Sequence, residues 1–198
     1  MRPVAERGID VEDRYTLNEQ AMGLEARRCS NCGCLAVSAS DLAPALVALG
    51  AKIKTNKRSV PAEDFFTVAP MKTTVLDSDE LVKEIEIPAP PNKSRQGYLK
   101  FRIRNAIDFP IVSLASVLSI ERGKLKKAKM VFGAIAPVPL RAREVEAFLV
   151  GKSLSEETAA MAGELAVKAI QPLLGNGYKR QVAKGLIRKA ILGAKGLL

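Results

Sequence analysis

The chain contains no histidine and no tryptophan, and aromatic residues make up only 5% of its 198 positions. Without histidine it cannot build a Ser-His-Asp triad, a Cys-His dyad, a histidine general base or a His-ligated zinc site. Any chemistry must therefore come from cysteine, carboxylate, lysine or tyrosine side chains, or from a bound cofactor.

Long apolar runs are also missing. The uncharged stretch at residues 109–120 is far shorter than the roughly 20 residues that a bilayer-spanning helix needs. Residues 1–13 are charged throughout, which is not the pattern of a signal peptide. We therefore expect a cytoplasmic protein without membrane association. Its apolar content of 47% suffices for the core of one or two small domains.

Basic residues are concentrated in the second half of the chain. Residues 1–98 contain 13 Lys and Arg against 14 Asp and Glu, whereas residues 99–198 contain 18 against 7. A basic half attracts nucleic acid, anionic cofactors or acidic protein partners. Because aromatic residues are sparse and no nucleic-acid-binding module is recognisable, we do not expect dedicated nucleic-acid binding.

The three cysteines, Cys29, Cys32 and Cys34, lie close together in a Cys-x2-Cys-x-Cys pattern. An odd, crowded set argues against the disulfide framework of a secreted protein. Three thiolates could bind a soft metal or an iron–sulfur cluster, but such sites normally use four ligands, and no histidine can supply the fourth. Redox reactivity, favoured by the neighbouring Arg27 and Arg28, is a second alternative, and inert thiols are the simplest interpretation.

The hydrophobic pattern favours an α+β fold. Period-two alternation and short apolar runs predict four strands, at residues 81–87, 96–104, 111–120 and 128–135. Three helices are predicted after them, at residues 142–150, 153–174 and 178–192. The turn at residues 121–124 joins the third and fourth strands as a hairpin. Strands followed by helices predict a small antiparallel β-sheet packed against a C-terminal helical bundle.

A shorter pattern precedes these strands. Ser40 or Asp41 can cap a short helix that ends at Gly50, and a half-buried strand begins at Lys52. Pro61 opens one further helical turn through residue 66. These elements predict a short αβ N-terminal piece.

Several segments resemble one known family in their order and spacing. They are residues 36–70, 81–88, 98–101, 108–113, 133–142 and 178–182. The family comprises the FAD-binding subunits of molybdenum hydroxylases, as in xanthine and carbon monoxide dehydrogenases. The resemblance implies that residues 36–75 are a remnant of the FAD-binding subdomain. It also implies that residues 76–198 form the flavoprotein C-terminal α+β domain.

The first residues depart from that family. We predict a linker, a helix and a Cys-rich loop within residues 1–35. Residues 24–32 resemble the tail of pyridine-nucleotide oxidoreductases similar to the glutamate synthase small subunit. The glycine-rich pyrophosphate loop of the flavoprotein family is absent, and the cysteine cluster replaces its Gly-Asn element. We therefore expect a fragment or remnant of a fused flavin reductase.

The resemblance implies FAD as the cofactor and five residues that contact it: Asp41, Leu81, Val82, Lys100 and Asp108. A lysine near a flavin would stabilise negative charge on the reduced ring. Three of these residues have an ordinary alternative interpretation. Asp41 could simply cap a helix, Lys100 could be a solvated lysine on a strand, and Asp108 could start a turn.

The function implied by the resemblance is that of an FAD-binding component of an oxidoreductase. It would relay electrons between flavin, iron–sulfur centres and NAD(P), and other subunits or domains of the complex would be its partners. The alternative is a non-catalytic interaction module that has lost flavin binding and docks an acidic partner through its basic surface. An iron–sulfur cluster at the cysteines is the less favoured addition.

Overall fold

The computed structural model describes residues 37–69, 72–168, 170 and 175–195. The cysteines and the predicted N-terminal helix lie outside these residues. The helices are α1 (Leu42–Leu49), α2 (Ala62–Phe65), α3 (Arg143–Leu149), α4 (Glu156–Lys168) and α5 (Tyr178–Lys195). The strands are β1 (Lys52–Thr55), β2 (Ser59–Pro61), β3 (Phe66–Ala69), β4 (Lys72–Thr74), β5 (Val82–Glu86), β6 (Ser94–Phe101), β7 (Val112–Glu121), β8 (Lys124–Gly133) and β9 (Leu140–Arg141). No described helix is long and apolar enough to cross a membrane.

A four-stranded antiparallel sheet with the order β6-β7-β8-β9 lies at the centre of the fold. Strands β7 and β8 form a hairpin whose turn is Arg122-Gly123, with φ angles of 50° and 74°. These positive values explain the glycine at the second turn position. The predicted hairpin and the predicted α+β class are confirmed.

The two faces of this sheet bury different elements. Leu118 and Phe132 face the helices α3, α4 and α5 and belong to the larger hydrophobic core. Ala115 and Val131 face the opposite way and pack in a second core with α1, α2 and β1. This division follows from the alternation of side chains along a strand, which sends successive residues to opposite faces.

Strand β5 belongs to a separate sheet with the order β2-β1-β5. The predicted strand at residues 81–87 therefore forms, but all of its residues from Val82 to Glu86 are exposed. The alternation of residues 81–87 predicts a half-buried strand. This prediction is wrong, because β5 is an edge strand and all of its residues are exposed. The strand pairs with β1, and the domain boundary placed at residue 76 stays a prediction.

Serine side chains cap two helices. The Ser40 hydroxyl accepts a hydrogen bond from the Ala43 amide at 3.1 Å, so Ser40 caps α1. The Ser155 hydroxyl accepts one from the Thr158 amide at 3.1 Å and caps α4. The predicted start of that helix at Ser153 is wrong, because Ser153 forms a β-bridge instead.

The first turn of α1 lies directly against the central sheet at Gly133. A Cβ atom built on this glycine would lie 2.5 Å from Ser113 Oγ and 2.7 Å from Pro44 Cγ. Both separations are below any normal contact distance. Helix α1 can therefore sit at its observed distance from β7 and β8 only because residue 133 has no side chain.

We expect Gly133→Ala to lower the free energy of unfolding by about 1–3 kcal/mol, because the added methyl group would push α1 away from the sheet. Urea denaturation measures this difference. Gly185→Ala is the matched control, since nothing lies within 4 Å of a Cβ at that position in α5. Alanine there should be neutral or stabilise by up to about 1 kcal/mol. Equal stability of Gly133→Ala and the wild type would contradict the close approach.

Candidate functional site

Three polar side chains form a hydrogen-bonded cluster where the start of α1 meets β6. Lys100 Nζ donates to Asp41 Oδ2 at 2.6 Å. The Tyr98 hydroxyl donates to Asp41 Oδ1 at 2.8 Å. Each oxygen of the Asp41 carboxylate therefore has its own donor. We call Asp41, Tyr98 and Lys100 the Asp41 cluster.

Local structure explains why these three residues meet. Tyr98 and Lys100 are two positions apart on β6 and therefore share one face of the sheet. In the register of the sheet they lie opposite Ala115 and Ser113 of β7. Because Ser40 caps α1 and the Asp41 side chain makes no capping hydrogen bond, the Asp41 carboxylate is left to accept from β6. Asp41 is therefore not a simple helix cap.

Partial burial strengthens the cluster. The Lys100 side chain is only 17% exposed, whereas that of Asp41 is 47% exposed. An ion pair shielded from water on one side is screened less than one on an open surface. Burial, reinforced by the hydrogen bond to Asp41, raises the pKa of Tyr98 to about 12. Tyr98 therefore stays protonated and keeps donating at neutral pH.

Asp108 lies apart from this cluster, in the loop between β6 and β7. It accepts hydrogen bonds from the backbone amides of Arg104 at 2.8 Å and Phe109 at 3.0 Å. The amide of Arg104, together with its nearby guanidinium, lowers the pKa of Asp108. Among the described residues, no hydrogen bond or ion pair joins Asp108 to Lys100. Asp108 thus shapes the loop that begins where β6 ends.

Leu81 and Val82 lie at the start of β5 and are 73% and 44% exposed. The described hydrogen bonds and ion pairs do not join them to the Asp41 cluster. Their position depends on the preceding residue, Glu80, whose carboxylate is buried. Arg58 donates to both of its oxygens, at 3.0 and 2.9 Å, and the Thr55 hydroxyl donates at 2.6 Å. Arg58, helped by Thr55, lowers the pKa of Glu80 to about 2.

Several exposed apolar residues are close to the Asp41 cluster residues along the sequence. Leu42 follows Asp41, Phe101 follows Lys100, and the next loop exposes Ile103, Ile107 and Phe109. Phe101 projects from the face of β6 opposite to Lys100, because the two residues are adjacent on the strand. The exposed apolar residues of the loop are a candidate partner surface. The polar edge of a flavin ring carries hydrogen-bond acceptors, so an ammonium held in place by a carboxylate and a phenol fits the ring end of FAD. We assign no described residue to its pyrophosphate.

Tyr98 was missed by the sequence reasoning. The available signal was its spacing of two from Lys100, which places both side chains on the polar face of the predicted strand. The partner of that face could not be deduced, because the choice between Ser40 and Asp41 as helix cap was left open. Once Ser40 takes the cap, Asp41 and Tyr98 become neighbours.

The comparisons with known proteins match both parts of the chain. A family model described as the CO dehydrogenase flavoprotein C-terminal domain matches residues 96–194. The chain belongs to this family. A second model, described as the FAD binding domain in molybdopterin dehydrogenase, matches residues 27–90. The predicted family and its cofactor FAD are confirmed at this level, and the glutamate-synthase-like tail stays a prediction.

Two relatives illustrate the match. The glyceraldehyde dehydrogenase medium chain of Sulfolobus acidocaldarius is 32% identical over 163 residues, which cover 77% of this chain and 56% of that protein. The carbon monoxide dehydrogenase medium chain of Afipia carboxidovorans is 31% identical over 142 residues, which cover 70% of this chain and 48% of that protein. The chain therefore spans about half the length of these relatives.

Solved structures agree with the sequence matches. A carbon monoxide dehydrogenase from Hydrogenophaga pseudoflava superposes with a TM-score of 0.72 at 26% identity, over 80% of this chain and 57% of that chain. Quinoline 2-oxidoreductase from Pseudomonas putida 86 gives a TM-score of 0.70 at 29% identity. The match covers 81% of this chain and 57% of that chain. The predicted flavoprotein-like arrangement of sheet and helices is confirmed.

The raised pKa of Tyr98 can be measured directly. With a pKa of about 12, only about a tenth of Tyr98 should be ionised at pH 11, against about nine tenths for an ordinary phenol. The ultraviolet absorbance of tyrosinate, taken as the difference between the wild type and Tyr98→Phe, isolates this residue. Asp41→Asn should increase the ionised fraction at pH 11, because it removes a negative neighbour. An unchanged fraction would contradict the hydrogen bond to Asp41.

The low pKa of Glu80 predicts a pH-dependent contribution to stability. A carboxylate whose folded pKa is depressed stabilises the protein above its unfolded pKa of about 4.3. That contribution is lost as the pH falls toward about 2. The wild type should therefore be more stable than Glu80→Gln at pH 7, and the gap should narrow below about pH 4. Urea midpoints across this range test it, with exposed Asp64→Asn as the control. A gap of constant size would argue against the Arg58–Glu80 contact.

Proposed function

We propose that the chain binds the ring end of FAD at the Asp41 cluster, as the FAD-binding component of a molybdenum-hydroxylase-like oxidoreductase. One observation carries this proposal. Asp41 lies in the segment that matches the FAD binding domain, whereas Tyr98 and Lys100 lie in the segment that matches the flavoprotein C-terminal domain. The hydrogen bonds of the cluster therefore join the two family domains at one polar point.

Each residue of the cluster has a distinct role in this proposal. Bound FAD would supply the hydride and electron chemistry that connects iron–sulfur centres with NAD(P). Lys100 would hold a positive charge beside the ring and stabilise negative charge there. Asp41 fixes the position of the Lys100 ammonium, and Tyr98 fixes the Asp41 carboxylate.

The remaining predicted site residues would act around this centre. Leu81 and Val82 would offer apolar contacts to the cofactor, at a position fixed by the buried Glu80 carboxylate. Asp108 would order the loop after β6 through its two amide contacts. These assignments extend the resemblance to the family, and the three cysteines outside the described residues keep their predicted alternatives.

We also propose that other subunits of an oxidoreductase complex are the partners of this chain. Its relatives include proteins named as medium chains and as FAD-binding subunits. The exposed apolar side chains of the β6–β7 loop are a suitable contact surface. A cytoplasmic location fits such a complex. The alternative of a module that has lost flavin binding is not favoured, because the family match includes the FAD binding domain.

Lys100→Ala should weaken FAD binding about tenfold or more, since a charge-assisted hydrogen bond contributes about 1.5–3 kcal/mol. The full chain is incubated with FAD, desalted, and examined for a visible flavin band. Affinity is then measured from the quenching of flavin fluorescence. The reduction potential of the retained flavin should fall when the Lys100 charge is removed.

Lys168→Ala is the matched control, because it removes an exposed lysine from α4 without touching the cluster. Its flavin occupancy and potential should equal those of the wild type. Unchanged occupancy and potential in Lys100→Ala would remove Lys100 from the site. A wild-type chain that retains no flavin would contradict the proposal for this chain as a whole.

A further inference from the structure

A basic groove lies on the sheet face that α1 covers, at the C-terminal end of α1, whereas the Asp41 cluster lies at the start of this helix. Its volume is about 520 Å³, and its walls come from the C-terminal end of α1, the β7–β8 hairpin and helix α3. Val117 and Ser119 of β7 line it opposite Lys129 and Lys127 of β8. The Asp41 cluster lies near the level of Ser113, four residues before Val117 and six before Ser119 on β7, which is about 13–20 Å along a strand. The groove and the cluster are therefore separate places.

The lining of the groove carries more positive than negative charge. Five basic residues line it: Lys126, Lys127, Lys129, Arg141 and Arg143. Three of them are neutralised by nearby carboxylates. Lys126 pairs with Glu121 at 2.7 Å, Arg141 pairs with Glu63 at 3.1 Å and with Glu146, and Arg143 pairs with Glu63.

Two lysines remain without such a partner. Among the residues that the structure describes, neither Lys127 nor Lys129 has a carboxylate within ion-pair distance. Both project from the same face of β8, because they are two positions apart. Burial, together with the positive charge of Arg141, lowers the pKa of Lys129. An anion placed between the two ammonium groups would offset the cost of burying the Lys129 charge and accept a charge-assisted hydrogen bond from each lysine.

The rest of the lining limits the kind of anion. Leu49, Pro90, Pro91, Val117 and Val150 form apolar walls beside the lysines. A volume of this size is typical of sites for small molecules, which combine apolar walls with a few polar groups. The ligand should therefore combine an anionic group that both lysines can contact with an apolar ring that packs against these walls. We propose that this groove is a binding site for a nucleoside diphosphate or a closely similar phosphate-bearing ring compound, distinct from the Asp41 cluster.

Isothermal titration of the full chain with ADP tests this site. We expect saturable binding with one ADP for each chain, weakened but not abolished by raising the salt to a physiological level. Lys127→Gln/Lys129→Gln should weaken ADP binding by about tenfold or more, because each lysine supplies a charge-assisted contact. Adenosine, which lacks the phosphates, should bind far more weakly than ADP.

Two controls separate specific binding from general attraction. Lys168→Gln/Lys189→Gln removes the same two charges from exposed positions of α4 and α5, and its ADP affinity should stay within about twofold of the wild type. Lys100→Ala should also leave ADP affinity unchanged, even though FAD binding falls. These controls therefore test ADP binding in the groove independently of FAD binding at the Asp41 cluster.

Several results would overturn the proposal. These are the absence of saturable ADP binding, an equal loss of affinity in both double variants, or equal binding of adenosine and ADP. A loss caused by Lys100→Ala would instead assign ADP to the flavin site. The midpoint of urea unfolding of Lys127→Gln/Lys129→Gln should stay close to that of the wild type, because neither lysine forms an ion pair among the described residues and exposed charges contribute little to stability. A lost affinity then cannot be attributed to unfolding.

Discussion

The close approach of α1 to the central sheet is the constraint on which the rest of the structure depends. Gly133 and Ala115 offer almost no side chain to this contact, so the start of the helix lies against β7 and β8. Backbone hydrogen bonds hold the segment before the helix in place, since the Ser38 amide donates to Ala136 and its carbonyl accepts from Ala134. Without this contact Asp41 could not reach β6, and the polar cluster would not exist.

Two charged residues, the buried Lys179 and the partly buried Arg141, stabilise this arrangement. Lys179 of α5 is fully buried and donates from Nζ to the carbonyl of Ala134 at 3.0 Å, and burial lowers its pKa to about 8. That carbonyl belongs to a residue with a φ angle of 60°. On the other side, Arg141 contacts both Glu63 of α2 and Glu146 of α3. The two family domains are thus joined by charge as well as by the apolar packing of α1.

The elements that sequence predicts best are those fixed by local pattern. The β7–β8 hairpin follows from alternation and a glycine turn, and α1 follows from a serine cap and Gly50. The sequence is less informative where two similar residues compete, as when Ser155 rather than Ser153 caps α4. It is uninformative where distant residues meet: the contact of Gly133 with Pro44 depends on the assembled fold. Tyr98 is an intermediate case. The sequence predicts which face of the strand its side chain occupies, but not that this side chain contacts Asp41.

The Asp41 cluster brings together groups from the two halves of the chain, which differ in net charge. The nearly neutral first half supplies the carboxylate and the phenol, and the basic second half supplies the ammonium. A lysine held by a carboxylate presents an oriented dipole rather than a free charge. Such a dipole costs little to keep partly buried, yet still stabilises negative charge that develops next to its positive end. Tyr98 strengthens this effect, because its hydrogen bond draws negative charge on Asp41 away from the oxygen that faces Lys100. In the proposed flavin site, the cluster would therefore suit a cofactor whose charge changes during its reaction better than a ligand of constant charge.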